Sequence, residues 1–141
     1  MAEITIKHID WQRGEALIRA VRHAVFVREQ GIPPDLEWDG RDAACLHVLA
    51  QDARGAVVGT ARMQTDGRIG RMAVLKGRRG QGAGSRLLAS LMDIAREMQL
   101  PSVWLSAQTT ALPFYLKHQF VIEGEEFSEA GIAHRYMRYV F

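Results

Sequence analysis

A single cysteine, Cys45, is all the thiol chemistry this chain carries. It excludes an internal disulfide, and its place in the apolar run Cys45-Leu-His-Val-Leu-Ala50 is that of an inert buried thiol rather than a nucleophile. Only four prolines occur, with no repeat and no low-complexity stretch, so nothing in the 141 residues marks a second domain. No run approaches the roughly 18 apolar residues needed to span a bilayer, and Met1-Ala-Glu-Ile-Thr has neither the basic nor the apolar part of a leader. The expectation is a cytoplasmic protein with no membrane partner. Charge of one sign is scarce too: 18 basic against 16 acidic side chains leave a net +2. That is too little for a nucleic-acid-binding face, though enough to favour a local anion. The five histidines form no His-x-His or His-Glu-x-x-His pair, and Asp35 to Asp42 lacks calcium-loop spacing, so no metal is expected.

What the chain does have is an ordinary globular balance, 48% apolar and 24% charged, and a length at which about 70% of the unfolded surface is buried on folding. Residues 3–9 alternate, Ile4 and Ile6 against Thr5 and Lys7, as a strand does. From about 11 to 30, Leu17, Ile18, Val21, Val25 and Phe26 recur at helical spacing until Gly31-Ile-Pro-Pro stops them. Residues 35–44 read as a charged loop, either a solvated face or a rim that attracts a cationic acceptor. Strands follow at 45–51, 56–65 and 68–75, separated by the turns Asp52-Ala-Arg-Gly55 and Thr65-Asp-Gly67. A helix over 82–98, a strand over 103–107, a helix over 110–118 and strands over 119–125 and 134–140 complete the chain. This order implies an α/β sandwich, one domain over 1–141 with a mixed central sheet and packed helices.

The most informative segment is Arg71 to Leu88, RMAVLKGRRGQGAGSRLL, where an apolar strand turns into a helix. Gly80, Gly82 and Gly84 allow positive φ and close approach of a ligand, and the helix start offers unpaired N–H groups with a partial positive charge. With Lys76, Arg78 and Arg79 alongside, the loop is either a glycine-rich turn or a cradle for a diphosphate. A Walker loop is excluded because no Lys-Ser/Thr pair follows the last glycine, and a dinucleotide fingerprint is excluded because Ser85 and Leu87 stand where its third glycine belongs.

The spacing Arg79-x-x-Gly82-x-Gly84 resembles the acyl-CoA pyrophosphate loop of the GCN5-related N-acetyltransferases, Arg/Gln-x-x-Gly-x-Gly/Ala. Met72-Ala73-Val74 is similar to that family's splayed fourth strand, and Ala111-Leu-Pro-Phe-Tyr115-Leu-Lys-His-Gln-Phe120 to its second signature. Gln119 replaces the usual glycine there, and Gln108 a common asparagine. Val25-Phe-Val-Arg-Glu-Gln-Gly-Ile-Pro, Glu37-Trp-Asp-Gly-Arg-Asp42 and Glu129-Ala-Gly-Ile-Ala-His134 resemble small bacterial members of the ElaA/YjcF type.

The resemblance implies a GNAT-like sandwich with helices on both faces and an acetyl-CoA-dependent N-acetyltransferase. It would act on an amine by direct transfer in a ternary complex, as a monomer or homodimer. It implies cofactor contacts from Met72, Ala73, Val74, Arg79, Gly80, Gln81, Gly82, Ala83, Gly84, Ser85 and Gln108. A backbone N–H of Ala73 or Val74 would meet the oxyanion, and Tyr115 would protonate the departing thiolate. An amine is almost wholly protonated at neutral pH, so a base is also needed. Glu29, Glu37, His47, Glu129 and His134 are candidates, with Glu29, His47 and His134 foremost beside Tyr115 as catalytic residues. A CoA-binding regulatory module without turnover, and a nucleotide-binding interaction domain, are the alternative readings.

Overall fold

In the computed structural model, which describes residues 3–141, seven strands form one mixed sheet. They are β1 (Thr5–Ile9), β2 (Leu46–Gln51), β3 (Val57–Met63), β4 (Arg68–Val74), β5 (Ser102–Gln108), β6 (Val121–Glu129) and β7 (Ile132–Val140), in the order β1-β2-β3-β4-β5-β7-β6. Every neighbouring pair is antiparallel except β4 and β5, which run parallel. Helix α1 (Trp11–Arg22) packs on one face; α3 (Ala83–Glu97) and α4 (Leu112–Lys117) pack on the other, while the short α2 (Pro34–Glu37) lies beyond α1. This is the expected α/β class with helices on both faces.

The sequence explains most of the boundaries. Asp10 caps α1 by accepting the Arg13 N–H at 2.8 Å, and Gly82, in a left-handed conformation at φ 88°, starts α3. Helix α3 buries Leu87, Leu88, Leu91 and Ala95 against Val48, Ala61, Ile69, Val103 and Leu105 of the sheet, the largest apolar core in the molecule. Helix α4 ends with Gln119 at φ 73°, its Phe120 N–H bonded back to the Tyr115 carbonyl. That closure requires a left-handed residue, which is why glycine is usual there and why glutamine is strained.

Three expectations are corrected. The helix expected over 11–30 is α-helical only to Arg22; His23–Glu29 is π-helical, with the Gln30 N–H bonded to the Val25 carbonyl five residues back. The closing strands are longer than expected, nine residues each, and form a hairpin that extends the sheet. The third correction concerns residues 35–44: most of them are exposed, but Glu37 and Asp42 are buried.

These residues contribute one half of a buried ionic network. Arg22 of α1 is 0% exposed, while Leu17, counted in the apolar face of this helix, is 44% exposed. The Arg22 guanidinium grips the Glu37 carboxylate through Nε at 2.7 Å and Nη2 at 3.0 Å, and reaches Asp42 through Nη1 at 2.6 Å. Asp42 is shared with Arg62 of β3 at 2.8 Å, Arg62 also pairs with Asp39, and Arg71 of β4 donates to the Glu37 carbonyl at 3.1 and 3.2 Å. Three arginines balance three carboxylates, so no net charge is buried. Burial pushes the Asp39 and Asp42 carboxyls up, but hydrogen bonds from Arg62 and Arg22 hold both well below the usual carboxylate range.

Glu37→Ala leaves Arg22 without its bidentate partner and should cost about 3–5 kcal/mol in denaturant unfolding, whereas deleting the exposed Glu15–Arg19 pair should cost under about 1 kcal/mol. Equal losses in the two variants would remove the network's structural role. Because the folded-state pKa values of Asp39 and Asp42 are depressed, their contribution is complete above the unfolded value near 4 and is lost as the pH falls toward the folded values. The melting temperature should therefore hold from pH 7 to about 5 and fall below about 4.

Candidate functional site

The site begins with a defect in β4. Thr60 pairs with Ala73 and Arg62 with Gly70, so one extra residue lies between, and Arg71 takes φ 47°. A β-bulge of this kind turns every later side chain to the opposite face. Before it, Arg68 shares a face with Trp104 and Ile69 faces the α3 core. After it, Met72 and Val74 face α3, and Ala73 packs with Val21, Val25 and Phe26 under α1 and its π-helical end. A left-handed arginine costs about 1 kcal/mol or more. Its hydrogen bonds to the Glu37 carbonyl hold it there, and nothing in the residue type advertises the bulge.

Beyond the bulge the sheet opens. Strands β4 and β5 pair only at Arg68–Trp104 and Ile69–Leu105, near the start of each, and then diverge. The Leu75 N–H is bonded to the Val58 carbonyl of β3, and the Ala73 carbonyl also faces β3. Alternation along the strand then aims the peptide groups of Val74 and Met72 into the wedge. The Val74 carbonyl does accept from Arg79 Nε at 2.9 Å. A wedge edged by an unpaired strand is a ready partner for an extended, amide-bearing chain.

At the wide end lies the glycine loop. Gly80 and Gly82 have φ of 78° and 88°, and a Cβ at either would meet nothing within 4 Å, so the space beside them is open. The first bond of α3 runs from the Arg86 N–H to the Gly82 carbonyl, leaving the N–H groups of Ala83, Gly84 and Ser85 without helical partners. Gly84 is close to α4, where an added Cβ would sit 3.4 Å from the Phe114 ring. Ser85 Oγ lies 3.0 Å from His118 Nε2.

Arg79 is engaged elsewhere: its two terminal nitrogens clasp Glu29 at 2.7 Å each. The guanidinium hydrogen bond holds the Glu29 carboxyl below its usual value. Arg79 thus staples the loop to the π-helical end of α1, and Glu29 is an ion-pair partner rather than a poised base.

On the α3 side of the wedge, α4 places Tyr115 deep between Phe114 and Phe120, with edge contacts at 5.0 and 5.9 Å. Its hydroxyl has only the Met72 sulfur, 3.8 Å away, as a partner, and burial pushes its pKa up to about 12. A buried phenol with no strong acceptor, facing the strand that edges the wedge, is an unspent donor.

The remaining candidates divide. His134 lies on β7 opposite Gln108. Its Nδ1 is 2.7 Å from the Ile132 carbonyl, which only accepts, so Nδ1 carries a proton and, in the neutral ring, Nε2 is the nitrogen with the lone pair; it lies 3.6 Å from Glu129. Gln108 bridges to Gln30 at 2.8 Å, across the mouth of the wedge. His47 is different: it is wholly buried, its ring tilted against that of Trp11 at 5.2 Å, and hydrogen-bonded to the Asp42 carbonyl. Burial lowers its pKa and keeps it neutral, so it is a structural group that no acceptor reaches. Glu37, also wholly committed to Arg22, is likewise no base. Cys45 is half-buried, donates to the Arg41 carbonyl, and has its pKa raised by burial, which keeps it inert.

Comparison with known proteins agrees with this geometry. Residues 37–141 match the family model described as an acetyltransferase (GNAT) domain. The chain is 37% identical over 120 residues to the uncharacterized N-acetyltransferase YjcF of Bacillus subtilis, spanning 83% of this chain and 86% of that protein. Among solved structures, an acyl-CoA N-acyltransferase from Pseudomonas aeruginosa superposes with a TM-score of 0.81 at 31% identity, covering 98% of this chain and 99% of the other. Escherichia coli ElaA superposes with a TM-score of 0.80 at 27% identity, again over 98% and 99%.

Proposed function

The chain belongs to the GNAT acetyltransferase family, and from that premise we propose that it moves the acetyl group of acetyl-CoA directly to a primary amine within a ternary complex. The observation that carries this reading is the wedge between β4 and β5, with an unpaired peptide edge on one side and the Tyr115 hydroxyl facing it. Acetyl-CoA supplies a thioester carbon: the amine nitrogen bonds to it, the carbon–sulfur bond breaks, one proton leaves the amine and one reaches the sulfur.

Each need is met by residues in place. The free N–H groups at the start of α3, with the open ground beside Gly80 and Gly82, hold the diphosphate. Gln81, Ala83, Gly84 and Ser85 belong to this cradle, while Arg79 acts by fixing the loop's position. Met72 offers its peptide groups to the pantetheine amides, and of the two N–H groups considered for the oxyanion, Val74 is the better placed because Ala73 is spent on β3, while the Val74 carbonyl is held by Arg79.

Tyr115 donates a hydrogen bond to the departing sulfur. From a pKa of about 12, outright proton transfer to a thiolate near 8.5 is uphill by about 4–5 kcal/mol, a gap narrowed because the same burial raises the thiol. Proton removal from the amine falls to His134, whose neutral ring, with Nδ1–H held by the Ile132 carbonyl, presents its Nε2 lone pair beside Glu129.

Gly82→Asp places a carboxylate where the diphosphate binds and forces a left-handed aspartate, so calorimetry should show acetyl-CoA affinity reduced at least 10²-fold with the fold retained by circular dichroism. Undiminished affinity would remove the loop from the site. Tyr115→Phe keeps the ring packing and should lower kcat and kcat/KM together by about 10²-fold in a thiol-release assay, with little change in melting temperature. Since Tyr115 stays protonated to about pH 12, the wild-type rate should not fall on the alkaline side up to pH 10 through loss of this donor. Full activity in Tyr115→Phe would leave solvent as the proton source.

A further inference from the structure

Helix α1 and its π-helical end pack on β2, β3 and β4, whereas on the same face of β5, β7 and β6 Tyr136 is 41% exposed and His134 is buried. Strand alternation gathers on that face Trp104 and Ser106 of β5, His134 and Tyr136 of β7, and Phe127 and Glu129 of β6. The rings form a continuous row. Phe127 stacks on Tyr136 at 4.5 Å and on His134 at 6.0 Å, and Trp104 meets Tyr136 at 6.2 Å.

The two ends of the row carry opposite charges that nothing neutralises among the described residues. At the wedge end, the half-exposed Glu129 carboxylate has only Ser106 Oγ at 3.3 Å and the His134 ring at 3.6 Å. Ser106 is the first β5 residue on this face after pairing with β4 ends, so Glu129 stands at the entrance to the wedge. At the far end the Arg68 guanidinium lies 4.8 Å over the Trp104 ring and has no carboxylate partner. Nearby, Arg138 and Glu123 are closed on each other at 2.9 Å.

Resting on the acetyltransferase reading, we propose that the acceptor is a flat, ring-bearing primary amine with an anionic group at the end of the ring remote from its nitrogen. Its amine enters the wedge beside Glu129 and His134, its ring lies along Tyr136, which Phe127 backs, and its anion meets Arg68, with Trp104 serving to hold that guanidinium in place. Glu129 attracts the ammonium form and His134 Nε2 takes its proton before the nitrogen bonds to the acetyl carbon. An aliphatic polyamine would leave both the rings and Arg68 unused.

4-(Aminomethyl)benzoate has this shape and serves as the probe, against benzylamine, which lacks the anion, and putrescine, which lacks both ring and anion. With acetyl-CoA and thiol-release detection, kcat/KM should fall in that order, by about tenfold at each step. Arg68→Gln should collapse the preference for 4-(aminomethyl)benzoate over benzylamine by about tenfold, Arg68→Lys should restore most of it, and Arg68→Glu should turn it toward 4-(aminomethyl)benzylamine. Glu129→Gln should raise KM more than it lowers kcat for all three amines. Putrescine as the best substrate, or a preference untouched by Arg68→Gln, overturns the acceptor assignment and leaves the acetyltransferase reading standing. If no amine turns over, calorimetric titration of 4-(aminomethyl)benzoate into the CoA complex decides separately. Saturable binding weakened by Arg68→Gln supports the surface while the transferase reading falls, and absence of binding overturns the surface.

Discussion

The hydrogen bonds from Arg71 to the Glu37 carbonyl hold the rest of the site in place. They fix a left-handed arginine in the middle of a strand, and that residue reverses which side chains of β4 meet α3. Had β4 run without the bulge, Met72 and Val74 would face α1, Tyr115 would have no partner on that strand, and the peptide groups aimed into the wedge would be out of phase. The strain of one residue is small beside what depends on it. It is offset by a network of three arginines and three carboxylates drawn from α1, residues 37–42, β3 and β4. Replacing such a network by apolar residues is often neutral for stability. What apolar side chains would not supply is the directional hold on Arg71.

The bulge and the splay divide the chemistry between the faces of the sheet. On the α3 side are the glycine loop, Met72 and Tyr115, which suit a thioester-bearing chain and its leaving sulfur. On the α1 side are His134, Glu129 and the aromatic row, which suit an incoming amine. The two groups of residues meet only in the gap left where β4 and β5 stop pairing, so two molecules can enter from opposite faces and touch at one point. Direct transfer asks for that arrangement, because positioning both partners at once removes most of the entropic part of the barrier.

How much of this was legible in the sequence depended on whether the backbone or the partner determined the residue. Gly80 and Gly82 were readable as a loop because their positive φ is a property of the chain itself, and the same logic makes Gln119 intelligible as a strained stand-in for glycine. Helix and strand order followed from periodicity. Glu37 and Asp42 were read as solvated or poised groups and Arg22 drew no notice, because a charged side chain looks solvated until its partner, 15 or 20 residues away, is known. His47 failed as a base for the same reason: its alternation was compatible with the core, and only the fold shows it walled in by Trp11 and Asp42. Arg71 gave no local signal, since a bulge of this kind would ordinarily be written with glycine.

The π-helical end of α1 shows how a local irregularity can serve both arms of the wedge. A π turn carries more residues per turn than an α turn, so the residues that end it are rotated relative to a helix continuing at 3.6. Here the rotation leaves Glu29 directed at Arg79, on the loop that follows β4, and its neighbour Gln30 directed at Gln108, on β5. Consecutive residues of one helix end therefore hold the two diverging strands at a set distance. The wedge is thus braced at its narrow end by the last β4–β5 pairs and at its wide end by Glu29 and Gln30. A gap braced at both ends keeps its width before any ligand enters, which is the preorganisation that binding an extended chain there requires.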